Sequence, residues 1–284
     1  MKYFVHLDGV VTGFNFAGQN IDCLCGTEIL KVEKQSGNVV YRKQIFEKEG
    51  FARKLIADKK QIFISDFCML YIFRQDNYEL IGKWQLGNDL RSDIVDIAFD
   101  NETVFCSIRN GKIITLDRKS FAINEYQISE SSMWCIKTYD KFLACGTVDG
   151  KLLLLDKSTL SIEKMLVLSK KNIGRIYIDG NTLYAASHDG KFFKIDLTIF
   201  QISVLRKNIH KKMFGCAGVY KDTVVTVSYP CSEISFWDKK TLEHKKTVNV
   251  PLRLSGQAYI ESDFLYIASR NISGIDKIAL NGLV

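Results

Sequence analysis

The chain repeats one phrase. A short apolar run leads into a turn, often Asp-Gly or Asn-Gly, and a second apolar run ends on an acidic residue. Four copies are plain: Val104-Phe-Cys-Ser-Ile-Arg-Asn-Gly-Lys-Ile-Ile-Thr-Leu-Asp117, Phe142-Leu-Ala-Cys-Gly-Thr-Val-Asp-Gly-Lys-Leu-Leu-Leu-Leu-Asp156, Leu183-Tyr-Ala-Ala-Ser-His-Asp-Gly-Lys-Phe-Phe-Lys-Ile-Asp196 and Val224-Val-Thr-Val-Ser-Tyr-Pro-Cys-Ser-Glu-Ile-Ser-Phe-Trp-Asp238. Their closing acids are 39, 40 and 42 residues apart (117 to 156 to 196 to 238). Weaker copies lie at Ile21–Glu33, Ile62–Arg74 and Leu265–Ile278. A period near forty with several short strands per copy predicts a β-propeller. Seven copies in 284 residues is about 41 residues each, which uses residues 1–284 as a single domain.

The fourth copy gives the plan of one blade. Met133–Tyr139 reads as its innermost strand, Phe142–Thr147 as the second, Lys151–Leu155 as the third and Ser161–Leu168 as the outermost. Val148-Asp149-Gly150 joins the second and third strands; glycine supplies the positive φ of a tight hairpin and aspartate tolerates it. Only two prolines interrupt the chain, as strands with paired N–H groups require. Glu47–Lys54 is the one short helical candidate. The last copy is one strand short, and Tyr3–Leu7 precedes the first copy as a spare strand. We expect this N-terminal strand to complete the seventh blade and close the ring, removing two sheet edges. The fold class expected is all-β, a seven-bladed WD40-like propeller.

No apolar run reaches the roughly 18–20 residues of a membrane span, and His6 and Asp8 interrupt the apolar start that a signal peptide would need. We expect an intracellular protein of the cytoplasm, with the nucleus also open to it, and no membrane contact. Eight cysteines suit reduced thiols. Cys25, Cys106 and Cys145 fall within strands, and Cys23-x-Cys25 on a strand points both thiols to one side. No second pair has zinc-ligand spacing, so neither a metal nor another cofactor is expected.

These repeats resemble the WD-repeat family of seven-bladed propellers along the whole chain. Trp237-Asp238 is the one intact Trp-Asp ending, and the Asp-Gly turn stands at 149–150 and 189–190. The Gly-His pair that opens a repeat in that family is absent, so its His–Asp network is expected to be missing and Asp149 and Asp189 to cap their own turns. Within the family, the order of features is similar to the diphthine methylesterases, which demethylate a diphthamide intermediate on elongation factor 2. Cys25-Gly-Thr-Glu-Ile-Leu30 follows Leu7-Asp8 and Phe14-Asn-Phe16, and Trp134 follows Glu130-Ser-Ser-Met. Cys-Gly-Thr recurs at 145–147, and Phe214-Gly-Cys-Ala-Gly-Val219 is a poor match to that family's Gly-Gly-Val-Trp.

No nucleophile elbow, P-loop or H-E-x-x-H motif is present. His188, beside the Asp189-Gly190 turn, is the one candidate general base, against its plainer reading as a polar turn residue. The 39 basic and 32 acidic residues leave a net charge of +7. The loops between second and third strands, and the connections between blades, share one face. On it fall Arg109, Lys112, Lys151, Lys170, Lys171, His188, Lys191, His210, Lys211, Lys212 and Arg270, the candidate binding face. Such a face would attract an acidic protein surface, phosphate or RNA; the competing reading is that these are solvated loop lysines, since Arg118, Lys119, Lys157, Lys239 and Lys240 lie on the other face. Three functions follow in order: a protein-interaction platform; a methylesterase acting on elongation factor 2; and an RNA- or ribosome-associated propeller.

Overall fold

The computed structural model describes residues 4–47, 52–89, 91–210, 214–228, 233–250, 254–269 and 273–283. These residues form seven four-stranded antiparallel sheets, and no helix occurs among them. The sheets fall into two compact units, residues 1–90 with 251–283 and residues 91–250.

The first unit holds three blades. The first runs through Val11–Ala17, Asn20–Cys25, Glu28–Glu33 and Val39–Gln44, and the second through Ala52–Ala57, Gln61–Asp66, Met69–Arg74 and Leu80–Gln85. The seventh has Leu254–Glu261, Phe264–Ser269 and Gly274–Ala279, and its outermost strand is Val5–His6 from the N-terminus. Val5 pairs with Ile275 and His6 with Gly274, so the spare strand completes this blade as expected. The helix expected over Glu47–Lys54 is replaced over its described end by a strand: Ala52–Ala57 is the second blade's innermost strand, with Leu55 fully buried. Residues 48–51 lie outside the described residues.

The second unit holds four blades. The third is Ile94–Phe99, Thr103–Ile108, Lys112–Asp117 and Ile123–Gln127; the fourth is Met133–Tyr139, Phe142–Thr147, Lys151–Asp156 and Ile162–Val167. The fifth is Ile173–Asp179, Thr182–Ser187, Phe192–Asp196 and Gln201–Arg206, and the sixth is Phe214–Tyr220, Thr223–Ser228, Glu233–Asp238 and His244–Asn249. Second and third strands are buried on both faces, which is why Lys151–Asp156 reads as four leucines without alternation. Leu153 and Leu155 pack toward Ala98 and Phe105 of the third blade; Leu152 and Leu154 pack with Ile173 and Leu183 of the fifth.

The closing acids that reveal the repeat are turn caps. Asp117 Oδ1 accepts from the amides of Lys119 at 3.0 Å and Ser120 at 2.6 Å. Asp156 accepts from Ser158 and Thr159, Asp196 from Thr198, and Asp238 from Lys240 and Thr241. These bonds favour the charged form, and all four carboxyls are held below the usual range. Arg74 stands where the second blade lacks an acid, and pairs with Asp76 at 2.9 Å. Four residues after Arg74 and after each of the four capping aspartates the chain turns left-handed at a bulky side chain: Tyr78 (φ 54°), Phe121 (59°), Leu160 (56°), Phe200 (55°) and Leu242 (53°). Tyr78, Leu160, Phe200 and Leu242 are buried, so burial offsets the roughly 1–2 kcal/mol cost of that backbone region.

One position on the innermost strands reaches across to the next blade. Asp96 Oδ2 accepts from the amide of Ile136 at 3.2 Å, Cys135 Sγ donates to the carbonyl of Ile173 at 3.4 Å, and Gln257 Oε1 accepts from the amide of Phe14 at 2.9 Å. The side chain differs from blade to blade, and the direction of the contact stays the same.

Candidate functional site

The loop face is set by a backbone bond repeated in successive blades. The residue after each second strand donates its amide to the residue before the innermost strand: Arg109 to Asp93 at 3.0 Å, Val148 to Ser132 at 2.9 Å and His188 to Asn172 at 2.9 Å. Arg109, Val148 and His188 therefore occupy equivalent places. Each innermost strand then carries a bulge, and the bulged residue is Trp134 in the fourth blade and Gly174 in the fifth.

These features bring three side chains from three blades together. Trp134 is half-buried. The guanidinium of Arg109 lies 5.9 Å from its ring centroid, and the imidazole of His188 meets it edge-on at 5.8 Å. Arg109 is locked by Asp93, with Nε to Oδ1 at 2.6 Å and Nη2 to Oδ2 at 3.1 Å. Gly174 provides the room: a Cβ there would lie 2.5 Å from His188 Nε2. Burial holds the His188 ring below the ordinary histidine pKa, so it is neutral at pH 7. Among the described residues no hydroxyl, thiol or carboxylate is hydrogen-bonded to His188. The arrangement is a rigid aromatic anchor flanked by polar edges.

The other residues of the expected basic face divide by their partners. Lys151 pairs with Asp149 and Lys191 with Asp189, each at 2.7 Å, while Lys112 pairs with Glu125. Asp149 and Asp189 also take the hydroxyls of Thr147 and Ser187 in their own turns. Partial burial raises the Asp189 carboxyl, but bonds from Lys191, Ser187 and Ser169 outweigh it and bring it to about 2. Gly150, at φ 85°, lies so close to the Ser169 carbonyl that a Cβ would collide with it, which ties this hairpin to the connection bearing Lys170 and Lys171. Both of those lysines are exposed, with no carboxylate partner among the described residues. Lys211, Lys212 and Arg270 lie outside the described residues.

His210 requires a correction. It is buried, 5% exposed, rather than displayed on the face. Its Nε2 is 3.0 Å from Thr226 Oγ1 and its Nδ1 is 3.2 Å from Glu233 Oε2. Trp237 Nε1 donates to the same Thr226 hydroxyl at 2.8 Å. A histidine-centred network is thus present in the sixth blade, with a glutamate at one end and no Gly-His pair to announce it.

Sequence reading also missed Arg175. Its side chain runs across Gly215 of the sixth blade, where any Cβ would collide with it. The Cys-Gly-Thr stretch at 25–27 places Cys25 in the core at 7% exposure, and burial raises its thiol pKa. Cys23, Cys25, Cys106, Cys145 and Cys216 are free thiols. No three His, Cys, Asp or Glu side chains among the described residues are grouped as metal ligands would be.

The chain matches no protein-family model and no curated protein in sequence. Solved structures do resemble it. A chain of the mitotic checkpoint complex aligns over 98% of this chain and 87% of its own, with TM-score 0.81 and 10% identity. The Myceliophteria thermophila Cps50 (Swd1) β-propeller domain aligns over 95% and 96%, with TM-score 0.77 and 10% identity. The computationally designed Ika8 protein aligns over 98% and 100%, with TM-score 0.73 and 11% identity. At such identities the likeness is one of fold, and the fold is a seven-bladed β-propeller.

Proposed function

We propose that this propeller is an intracellular protein-interaction platform whose contact surface is the loop face of the third to fifth blades. The observation that carries this reading is Trp134, half-buried and held between Arg109 and His188 from neighbouring blades. Tryptophan and arginine dominate the energetics of protein interfaces, and an anchor already fixed by its neighbours loses little entropy on binding. Lys170 and Lys171 lie on the same face and suit an acidic partner surface. The fold is shared with a chain that works inside a multiprotein assembly, the mitotic checkpoint complex.

The methylesterase alternative needs a nucleophile or an activated water at His188. His188 contacts the Trp134 indole and a glycine instead, which favours the platform. The deciding experiment is quantitative affinity capture from cell extract with the wild type, Trp134→Ala, and Lys170→Glu with Lys171→Glu. A protein set lost with Trp134→Ala and weakened by the lysine reversals supports the platform and its face. Retention of the set by both variants removes this face. Methanol release from the methylated elongation factor 2 intermediate, abolished by His188→Ala, would restore the esterase.

A further inference from the structure

A second feature of the fourth blade begins at the Asp149–Lys151 turn and extends to the outermost strand. The faces of Leu153 and Leu155 are covered by the third blade. Their cross-strand partners on the outermost strand, Met165 and Ile162, point the same way but are 52% and 48% exposed, and Val167 beside them is 68% exposed. A cleft of about 510 Å³ opens there, lined by the apolar Ile128, Leu153, Ile162 and Met165 and by five polar side chains, Glu130, Asp149 and Lys151 among them. Its size is that of a binding pocket for a few side chains.

The polar lining says what would enter. Asp149 and Lys151 neutralise one another at 2.7 Å, which leaves the exposed carboxylate of Glu130, with no cation paired to it among the described residues. The cleft thus combines four apolar side chains with a polar part in which Glu130 is the one charge without a described partner, on a chain whose net charge is +7. Ile162–Val167 is also the edge of its sheet, with backbone groups open to an added strand.

We propose that this cleft receives an extended segment of a partner protein, adding along Ile162–Val167, with an apolar side chain in the pocket and a lysine or arginine against Glu130. This goes beyond the platform reading, because it names a separate subsite and the chemistry of its occupant.

The test is selection of short random peptides displayed on phage against the full chain, with Met165→Glu as counter-target. Selected peptides are then synthesised and titrated by fluorescence anisotropy. Peptides carrying an apolar residue beside lysine or arginine are expected. Their affinity should fall about tenfold or more with Met165→Glu and with Glu130→Lys. Both residues are exposed, and unchanged melting temperatures would show both variants folded. Reversal of Lys170 and Lys171 should leave peptide affinity unchanged, so failure of the loop-face reading is seen separately. Failure to enrich any peptide over the Met165→Glu variant overturns the proposal, as do acidic peptides or binding indifferent to Glu130→Lys. Self-association lost with Met165→Glu would also overturn it, by assigning the cleft to a second copy of the chain.

Discussion

Trp237 donates its indole N–H to the hydroxyl of Thr226 at 2.8 Å, across two neighbouring strands of the sixth blade. The same oxygen is 3.0 Å from His210 Nε2, so one buried hydroxyl joins two rings. Thr226→Val keeps the shape and deletes the shared oxygen. It should destabilise the protein by about 1–3 kcal/mol, the usual cost of leaving buried polar groups unmatched, read as a shift in urea midpoint.

The network also predicts a pH effect. Burial depresses the His210 pKa below 6.5, against the opposing pull of Glu233. A histidine depressed on folding is kept neutral, so its contribution is fully present above the unfolded pKa and is lost as pH falls below about 6.5. Asp276, raised by burial to about 6, works in the other direction, gaining stability as pH falls through that value. The test is therefore the difference between the wild type and His210→Gln in urea titrations from about pH 7.5 to pH 5.5. The wild type should lose more stability over that range. Parallel curves would mean that His210 does not titrate with folding.

Two left-handed turn residues separate strain from burial. Leu242 has φ 53° and is fully buried, whereas Phe121 has φ 59° and is only partly buried. Glycine relieves the backbone at both sites, by about 1 kcal/mol. Leu242→Gly also removes a core side chain, for a net loss of about 2–3 kcal/mol. Phe121→Gly should fall within about 1 kcal/mol of the wild type. Equal losses in thermal unfolding would show that burial does not hold these turns.

Arg109 is predicted to act through Trp134. Replacing it with alanine removes two charge-assisted hydrogen bonds to Asp93 and one neighbour of the indole, at about 1.5–3 kcal/mol. In an ¹⁵N-labelled sample the indole N–H signal of Trp134 should move, while those of Trp84 and Trp237 stay in place. Movement of all three would indicate a general rearrangement.

The repeat was legible because its punctuation is chemical. Each closing aspartate accepts amides of its own turn, and few side chains do this as well, so spacing exposed the blades. Strand bounds in the fourth blade came within a residue of those observed. Glu47–Lys54 misled because charged and alanine residues favour a helix locally, while the pairing of Ala52 with Asp66 and of Leu55 with Ile64 makes Ala52–Ala57 a strand. The site was less legible. Asp149 with Lys151, and Asp189 with Lys191, are close in sequence, yet charge counting could not reveal that these lysines are already paired. Trp134 and His188 meet where Trp134 occupies a bulge and Gly174 leaves room for the imidazole, and hydropathy carries no trace of that. His210 resembled a loop ligand because its partners, Thr226 and Glu233, come from strands later in the chain.

The N-terminal strand gives the last prediction. Val5 and His6 pair with Ile275 and Gly274, and Leu7 donates its amide to the Ser273 carbonyl at 2.6 Å. Val5 and Leu7 are 6% and 3% exposed, packed in one cluster with Ile275 and Val11. Removing residues 1–8 takes away both side chains, about 3–6 kcal/mol of burial at 1.5–3 kcal/mol each. It also leaves Gly274–Ala279 as an unprotected edge, a template for pairing with another chain. The truncated protein should melt lower and form larger species in sedimentation velocity, more so as concentration rises. Leu7→Asp should lower stability while retaining the strand, and so separate lost burial from lost edge protection. A truncated chain that stayed monomeric and melted like the wild type would mean that this short strand contributes no closure.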